Sequence, residues 1–127
     1  MSSARRLVLE ALFAARTPVT AEQIARGLDG RLPRSDLGSV YRNLEILERL
    51  GIVRHLHAAH GAGLYAVARE EDEGFLVCER CGEVRPGNPR AVTVIRGAVR
   101  KAFGYDASFR DFPIVGVCPR CSDEERA

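Results

Sequence analysis

Leu37-Gly-Ser-Val-Tyr-Arg-Asn-Leu-Glu-Ile-Leu-Glu-Arg-Leu50 is the stretch whose reading decides the fold. Leu37, Val40, Leu44, Leu47 and Leu50 recur at three- and four-residue intervals, which places them in one buried stripe of a helix. Ser39, Arg42, Glu45 and Arg49 fall on the opposite face, with Tyr41 beside them. Ser35 is the candidate N-cap, and Gly51 supplies the stop. Towards the N-terminus, Pro33 forbids continuation of the preceding helix. That helix starts at the capping box Thr20-Ala-Glu-Gln23, turns Ile24, Ala25 and Leu28 inward, and fades at Gly27 and Gly30. Leu9, Leu12 and Phe13 give an apolar face to a first helix over residues 4–15. In the other direction, Ile52–His57 reads as a strand, Gly61-Ala-Gly63 as a turn and Leu64-Tyr-Ala-Val67 as the return strand. Three helices and a two-stranded wing form the order of a winged helix-turn-helix domain, whose third helix enters the major groove. A helical mini-domain that docks on another protein has the same pattern.

Arg69-Glu-Glu-Asp-Glu-Gly74 is acidic and glycine-ended, so it reads as a hinge between two modules. Beyond it, Phe75-Leu-Val77 leads into Cys78-Glu-Arg-Cys81, and Glu83-Val-Arg85 leaves as a short strand. Pro86-Gly-Asn-Pro89 breaks the chain before a helical stripe of Val92, Ile95, Val99 and Phe103 that ends at Gly104. Phe109 to Val117 is an extended segment delivering Cys118-Pro-Arg-Cys121. The expectation is an α+β protein: a DNA-binding winged helix over 1–68, a hinge at 69–74, and a small α/β domain over 75–127.

The two CxxC pairs hold every cysteine of the chain. A two-residue gap lets both thiolates of a pair reach one ion about 2.3 Å away, so Cys78, Cys81, Cys118 and Cys121 complete a tetrahedral zinc shell. The 36 intervening residues must fold and return the second pair to the first. Four protein ligands leave no open coordination position, which makes the zinc structural and argues against an enzyme. A deaminase-like zinc enzyme would need a His-x-Glu partner that the chain lacks. Two disulfides or a redox dithiol are the alternatives. Met1-Ser-Ser-Ala-Arg-Arg runs into an amphipathic pattern and resembles no secretion signal, so reduced thiols and a cytoplasmic location are expected.

Charge divides unevenly. Residues 1–68 hold nine arginines against six acids, and residues 69–127 hold nine arginines and Lys101 against eleven acids. A basic first half is compatible with a phosphate-contacting surface. No apolar run is long enough to cross a bilayer, so no membrane partner is expected. The three histidines, His55, His57 and His60, sit in the wing. His55 and His57 alternate along a strand, with Cα atoms about 6.6 Å apart on one face. That spacing suits one first-row ion if a third ligand arrives from elsewhere. Equally, they are exposed wing histidines meeting solvent or DNA phosphate.

Leu37-Gly-Ser-Val-Tyr-Arg-Asn-Leu44 resembles the recognition-helix motif of the Fur (ferric uptake regulator) family. Leu76-Val-Cys-Glu-Arg-Cys-Gly82 and Gly116-Val-Cys-Pro-Arg-Cys121 resemble its structural zinc motifs. The resemblance implies a homodimeric, metal-responsive repressor of a palindromic double-stranded DNA operator. It places Tyr41 at a base or sugar and Arg42 at phosphate, with Ser39 on the same helix and Arg5 and Arg6 as the remnant of a basic lead-in helix. The family's usual sensor run of histidines before the first CxxC is replaced by Glu70-Glu-Asp-Glu-Gly-Phe75. Pro18, Ala66 and Pro86 stand where further sensor ligands would be. The usual hinge sensor is therefore absent or rebuilt. Arg54-His-Leu-His-Ala-Ala-His-Gly-Ala-Gly-Leu-Tyr65 resembles the nickel-responsive branch, in which two wing histidines join a third ligand at a position that is Asp111 here. The expected cofactors are structural Zn²⁺ and a second divalent ion, Ni²⁺, Zn²⁺, Fe²⁺ or Mn²⁺, held by His55, His57, His60 and Asp111. The alternatives are a family member without a sensory metal, redox-responsive or constitutive, and a zinc-stapled protein-interaction module.

Overall fold

The computed structural model describes residues 2–57, 63–69, 74–110 and 112–126, which form two compact units. The expected turn at Gly61, the acids 70–73 and the candidate ligands His60 and Asp111 lie outside the described residues.

The first unit runs to His57 and resumes from Gly63 to Arg69. Its α1 (Ser3–Ala14) is capped by Ser2, whose hydroxyl accepts the Arg5 N–H at 3.1 Å. Its α2 (Ala21–Ala25) carries the capping box: Gln23 N–H donates to the Thr20 hydroxyl at 3.1 Å and Thr20 N–H to the Gln23 carbonyl oxygen at 2.8 Å. The next turn, α3 (Gly27–Gly30), is not a regular helix. Leu28 and Asp29 lie at φ 52° and 61°, between glycines at 72° and 85°. Each left-handed non-glycine residue costs about 1–2 kcal/mol, and burying the Leu28 side chain offsets it. Gly27 is obligatory, because a Cβ there would strike the Leu32 carbonyl. The recognition-type helix α4 (Leu37–Arg49) is capped by Asp36 rather than Ser35: the Asp36 carboxylate accepts the Ser39 N–H at 2.9 Å. Ser35 instead donates its own N–H to the Ala25 carbonyl. Gly51, at φ 77°, ends the helix as expected.

Val40, Leu44 and Leu47 are buried to 1 % exposure or less and pack with Val8, Ala11 and Ile24. The stripe is shorter than its periodicity suggests, since Leu37 and Leu50 are exposed at its two ends. The wing pairs β1 (Val53–Leu56) with β2 (Leu64–Val67), antiparallel, with His55 opposite Tyr65 and Leu56 opposite Leu64. A bridge between Val19 and Tyr65 ties the wing to the segment before α2.

In the second unit, β3 (Phe75–Cys78) is central, with β4 (Val84–Pro86) antiparallel on one side and β5 (Ile114–Gly116) parallel on the other. Parallel neighbours need a crossover, and α5 (Pro89–Phe103) supplies it, capped by Asn88 and stopped by left-handed Gly104. The helix α6 (Pro119–Arg126), which the sequence reading did not anticipate beyond the extended segment Phe109–Val117, carries the last cysteine. Gly87 meets Gly74 backbone to backbone, and a Cβ at Gly87 would sit 2.7 Å from the Gly74 carbonyl oxygen. Among the described residues, no helix is long and apolar enough to cross a membrane.

Candidate metal centre and nucleic-acid interface

Parallel pairing explains how cysteines so far apart in sequence meet. Cys78 ends β3 opposite Gly116, which ends β5, so both strands run out at the same end and each is followed by its CxxC turn. Cys78 N–H donates to the Glu83 carbonyl and Gly82 N–H returns to the Cys78 carbonyl, both at 2.9 Å, closing the first knuckle. The Glu79 N–H reaches the Gly116 carbonyl at 2.8 Å and locks the two strand ends together. All four Sγ atoms lie within 4.8 Å of one another.

Cys81 Sγ and Cys118 Sγ are 3.9 Å apart. Zinc–sulfur bonds of about 2.3 Å in a tetrahedron put sulfurs roughly 3.8 Å apart, whereas a disulfide needs about 2.05 Å. The spacing fits a metal and not a disulfide. Backbone N–H groups of Cys118 and then Cys81, at 3.3 and 3.5 Å, point at the Cys78 sulfur and lower its pKa to about 6. Cys121 moves the other way, up to about 12, because the Cys118 sulfur beside it and burial favour the thiol. Four thiolates cannot share this volume without a cation, and a divalent soft-tolerant ion supplies one. The donor set therefore suits zinc, held by Cys78, Cys81, Cys118 and Cys121.

The first unit presents the second candidate surface. With Val40, Leu44 and Leu47 buried, Tyr41 and Arg42 point outward, Tyr41 being 42 % exposed. Arg42 lies 3.9 Å from Asp36 with both side chains largely in solvent. Ser39 is half-buried, and Asn43 Nδ2 donates to its carbonyl at 2.9 Å and its hydroxyl at 3.4 Å. Arg5 Nε donates to Asn43 Oδ1 at 3.2 Å, so Arg5 ties α1 to α4, while Arg6 is exposed. Asn43 was not singled out in the sequence. The signal was there: an amide three residues after Val40 and four before Leu47 stands in the apolar stripe itself.

In the wing, the His55 imidazole stacks on Tyr65 with ring centroids 4.6 Å apart and 6° between planes. His57 lies just past β1, its ring 4.5 Å from that of His55 and tilted by 41°. The structure thus brings His55 and His57 together. His55 Nδ1 is also 3.8 Å from Glu48 Oε1, a neighbour not expected from sequence. Gly63 makes room for the imidazole, because a Cβ there would collide with His55 Nε2. Tyr65 has its hydroxyl pKa raised by burial, then by Tyr41, Glu48 and Glu45. Among the described residues, the four cysteines are the group of three or more ligating side chains close enough to hold an ion.

Residues 1–107 match the model of the ferric uptake regulator family. The chain is 26 % identical to the peroxide operon regulator of Bacillus subtilis, over 95 % of this chain and 83 % of that protein. It is 23 % identical to the peroxide-responsive repressor PerR of Staphylococcus aureus, over 94 % and 80 %. In structure it resembles the Helicobacter pylori ferric uptake regulator, with a TM-score of 0.74 and 21 % identity over 96 % of this chain and 81 % of that one. A zinc uptake regulator complexed with zinc and DNA superposes with a TM-score of 0.56 and 20 % identity, over 99 % and 85 %. These structural likenesses show a shared fold.

Proposed function

The chain belongs to the ferric uptake regulator family, whose members are transcription regulators and not enzymes, and we propose on that premise that it is a dimeric, sequence-specific repressor. The observation that carries the reading is α4. Its buried face is consumed by Val40, Leu44 and Leu47, which leaves Tyr41 and Arg42 outward on a helix backed by a wing. Each protomer lays α4 in the major groove, with Tyr41 at a base or sugar, Arg42, Arg6 and Arg5 near phosphate, and Ser39 at the helix start. Two protomers read a palindrome whose half-site spacing follows their symmetry. We assign residues 1–68 to DNA binding, 69–74 to the hinge and 75–127 to dimerisation. Structural zinc on the four cysteines supplies the folding energy that so small a core lacks. A cytoplasmic location, where four thiols stay reduced and free for zinc, belongs to the same reading.

Regulation, in this reading, runs through a second divalent ion at the wing. His55 and His57 are adjacent, and His60 and Asp111 complete the proposed set. An ion linking wing and dimerisation domain shifts a pre-existing population towards the DNA-competent domain angle. The proposed set resembles that of the nickel-responsive branch. The names of the two curated relatives favour a second reading, response to peroxide.

Mobility shift of a random duplex pool, with and without added Ni²⁺, Zn²⁺, Fe²⁺ or Mn²⁺, tests the assignment. Enrichment of a palindrome is expected, and binding without sequence preference would defeat the regulator reading. Replacing both His55 and His57 by Ala should remove metal dependence and leave one zinc per chain. Undiminished metal dependence in that variant would refute the wing site, and metal-independent binding abolished by peroxide would favour the second reading.

A further inference from the structure

The cysteine cluster has a closed side and an open one. Cys78 and Cys121 are buried, Cys118 is half-buried and Cys81 is exposed. Over the open side lies a cleft of about 450 Å³ lined by Cys81, Glu83, Arg85, Cys118, Pro119 and Arg120. Four thiolates around Zn²⁺ carry a net charge of −2, and the exposed sulfur shows part of it to any small electrophile that enters.

Two arginines face this cleft. Arg85 is already committed, its Nη2 and Nε donating to one Glu83 carboxylate oxygen at 2.8 and 3.3 Å. Arg120 is placed differently. It stands in the first turn of α6, between the ligands Cys118 and Cys121, where the positive end of the helix dipole disfavours a cation. Arg120 lines the same cleft as the exposed Cys81, so the negative charge of the sulfurs offsets that penalty.

We propose that Arg120 is a positioning residue for the zinc centre, the counter-cation of its open face, which holds the Cys81 sulfur on the metal and slows its attack on electrophiles. The inference rests on the zinc assignment above. A cation and N–H donors on a thiolate stabilise its lone pairs where they are, so bond formation to an incoming carbon is slower. When the attack does occur with an alkyl iodide, Cys81 Sγ forms the S–C bond, iodide leaves, and the neutral thioether releases its zinc bond.

Alkylation of the zinc-loaded protein by neutral iodoacetamide and anionic iodoacetate, mapped to Cys81 by mass spectrometry, tests this alongside zinc release to a chromophoric chelator. Arg120→Gln should react faster with iodoacetamide and lose zinc sooner. Its iodoacetate-to-iodoacetamide rate ratio should fall about fourfold, the factor for one unit charge roughly 5 Å away in water. Arg120→Lys keeps the charge and should restore the ratio. A loosened fold would accelerate both reagents alike, so an unmoved ratio in Arg120→Gln, or Arg120→Lys behaving like Arg120→Gln, overturns the proposal. Should Arg120→Gln fail to fold, wild type in rising salt reads the same charge: the ratio must fall as screening grows, and a salt-independent ratio overturns it. Zinc stoichiometry of the wild type is measured first. A wild type without zinc defeats the zinc assignment, which the rate ratio leaves untouched.

Discussion

Replacing Arg42 by Ala separates DNA contact from folding. The side chain is 72 % exposed, and its ion pair with Asp36 spans 3.9 Å in solvent. Such a pair contributes about 0–1 kcal/mol, and the Asp36 cap on the Ser39 N–H does not depend on it. Thermal or denaturant unfolding should therefore shift by less than about 1 kcal/mol. Operator binding should change in a characteristic way. A symmetric dimer loses two phosphate contacts, so the slope of log K against log salt should become shallower by about 1.8. Between 50 and 200 mM salt, the affinity advantage of the wild type should then shrink by about twelvefold, the fourfold salt change raised to that slope difference. Fluorescence anisotropy on the palindrome selected by the wild-type protein reads both lines. Parallel lines for wild type and Arg42→Ala would refute the phosphate contact, whatever the offset between them.

Leu47 is fully buried among the helices of the first unit, so Leu47→Ala should cost about 2–5 kcal/mol in urea unfolding. Gly63→Ala drives a methyl into His55 Nε2; it should destabilise by about 1–3 kcal/mol and alter the near-ultraviolet dichroism of Tyr65, in a chain without tryptophan. Asn43→Ala leaves Arg5 without its acceptor on α4 and should cost about 1–3 kcal/mol while also weakening operator binding, read by anisotropy. Zinc uptake displaces thiol protons. With the Cys78 pKa lowered to about 6, that sulfur is already ionised in the metal-free protein at pH 7.5 and protonated at pH 5. Under conditions where circular dichroism shows the metal-free protein folded, calorimetry in buffers of different ionisation enthalpy should thus count more protons released per zinc at pH 5, and equal counts would contradict the N–H···S bonds.

What the sequence discloses depends on whether the cause is local. The capping box at Thr20 and Gln23, the stop at Gly51 and the cysteine spacing each follow from a few neighbouring residues, and each stands in the structure. Asp36, not Ser35, caps α4 through its carboxylate, while the Ser35 N–H is bonded to the Ala25 carbonyl on the far side of the left-handed turn at Leu28 and Asp29. That bond is tertiary in origin and leaves no local trace. The α6 helix was missed for a related reason: Pro119-Arg-Cys-Ser-Asp-Glu-Glu-Arg126 has almost no apolar periodicity, and its start is set by Pro119 beside a metal ligand. The Glu48 neighbour of His55 arises from the path of the chain between α4 and β1.

Two helices illustrate what periodicity leaves open. The stripes of α4 and α5 look alike in sequence, yet Val40, Leu44 and Leu47 are buried whereas on α5 only Val92 is. Ile95 is 38 % exposed and Phe103 76 %. A stripe states that a partner exists and not which one. For α4 the partner is α1 and α2 of its own unit. For α5 the second unit offers little more than Phe75, Val92 and two cysteines as buried apolar mass. Leaving Phe103 largely in water forgoes roughly 1.5–3 kcal/mol. In the proposed dimer, a second copy related by a two-fold axis would cover the same residues on both protomers at once. The exposed stripe of α5 is what supports the proposed dimer, and the proposal assigns dimerisation and zinc binding to one small unit whose own core is slight.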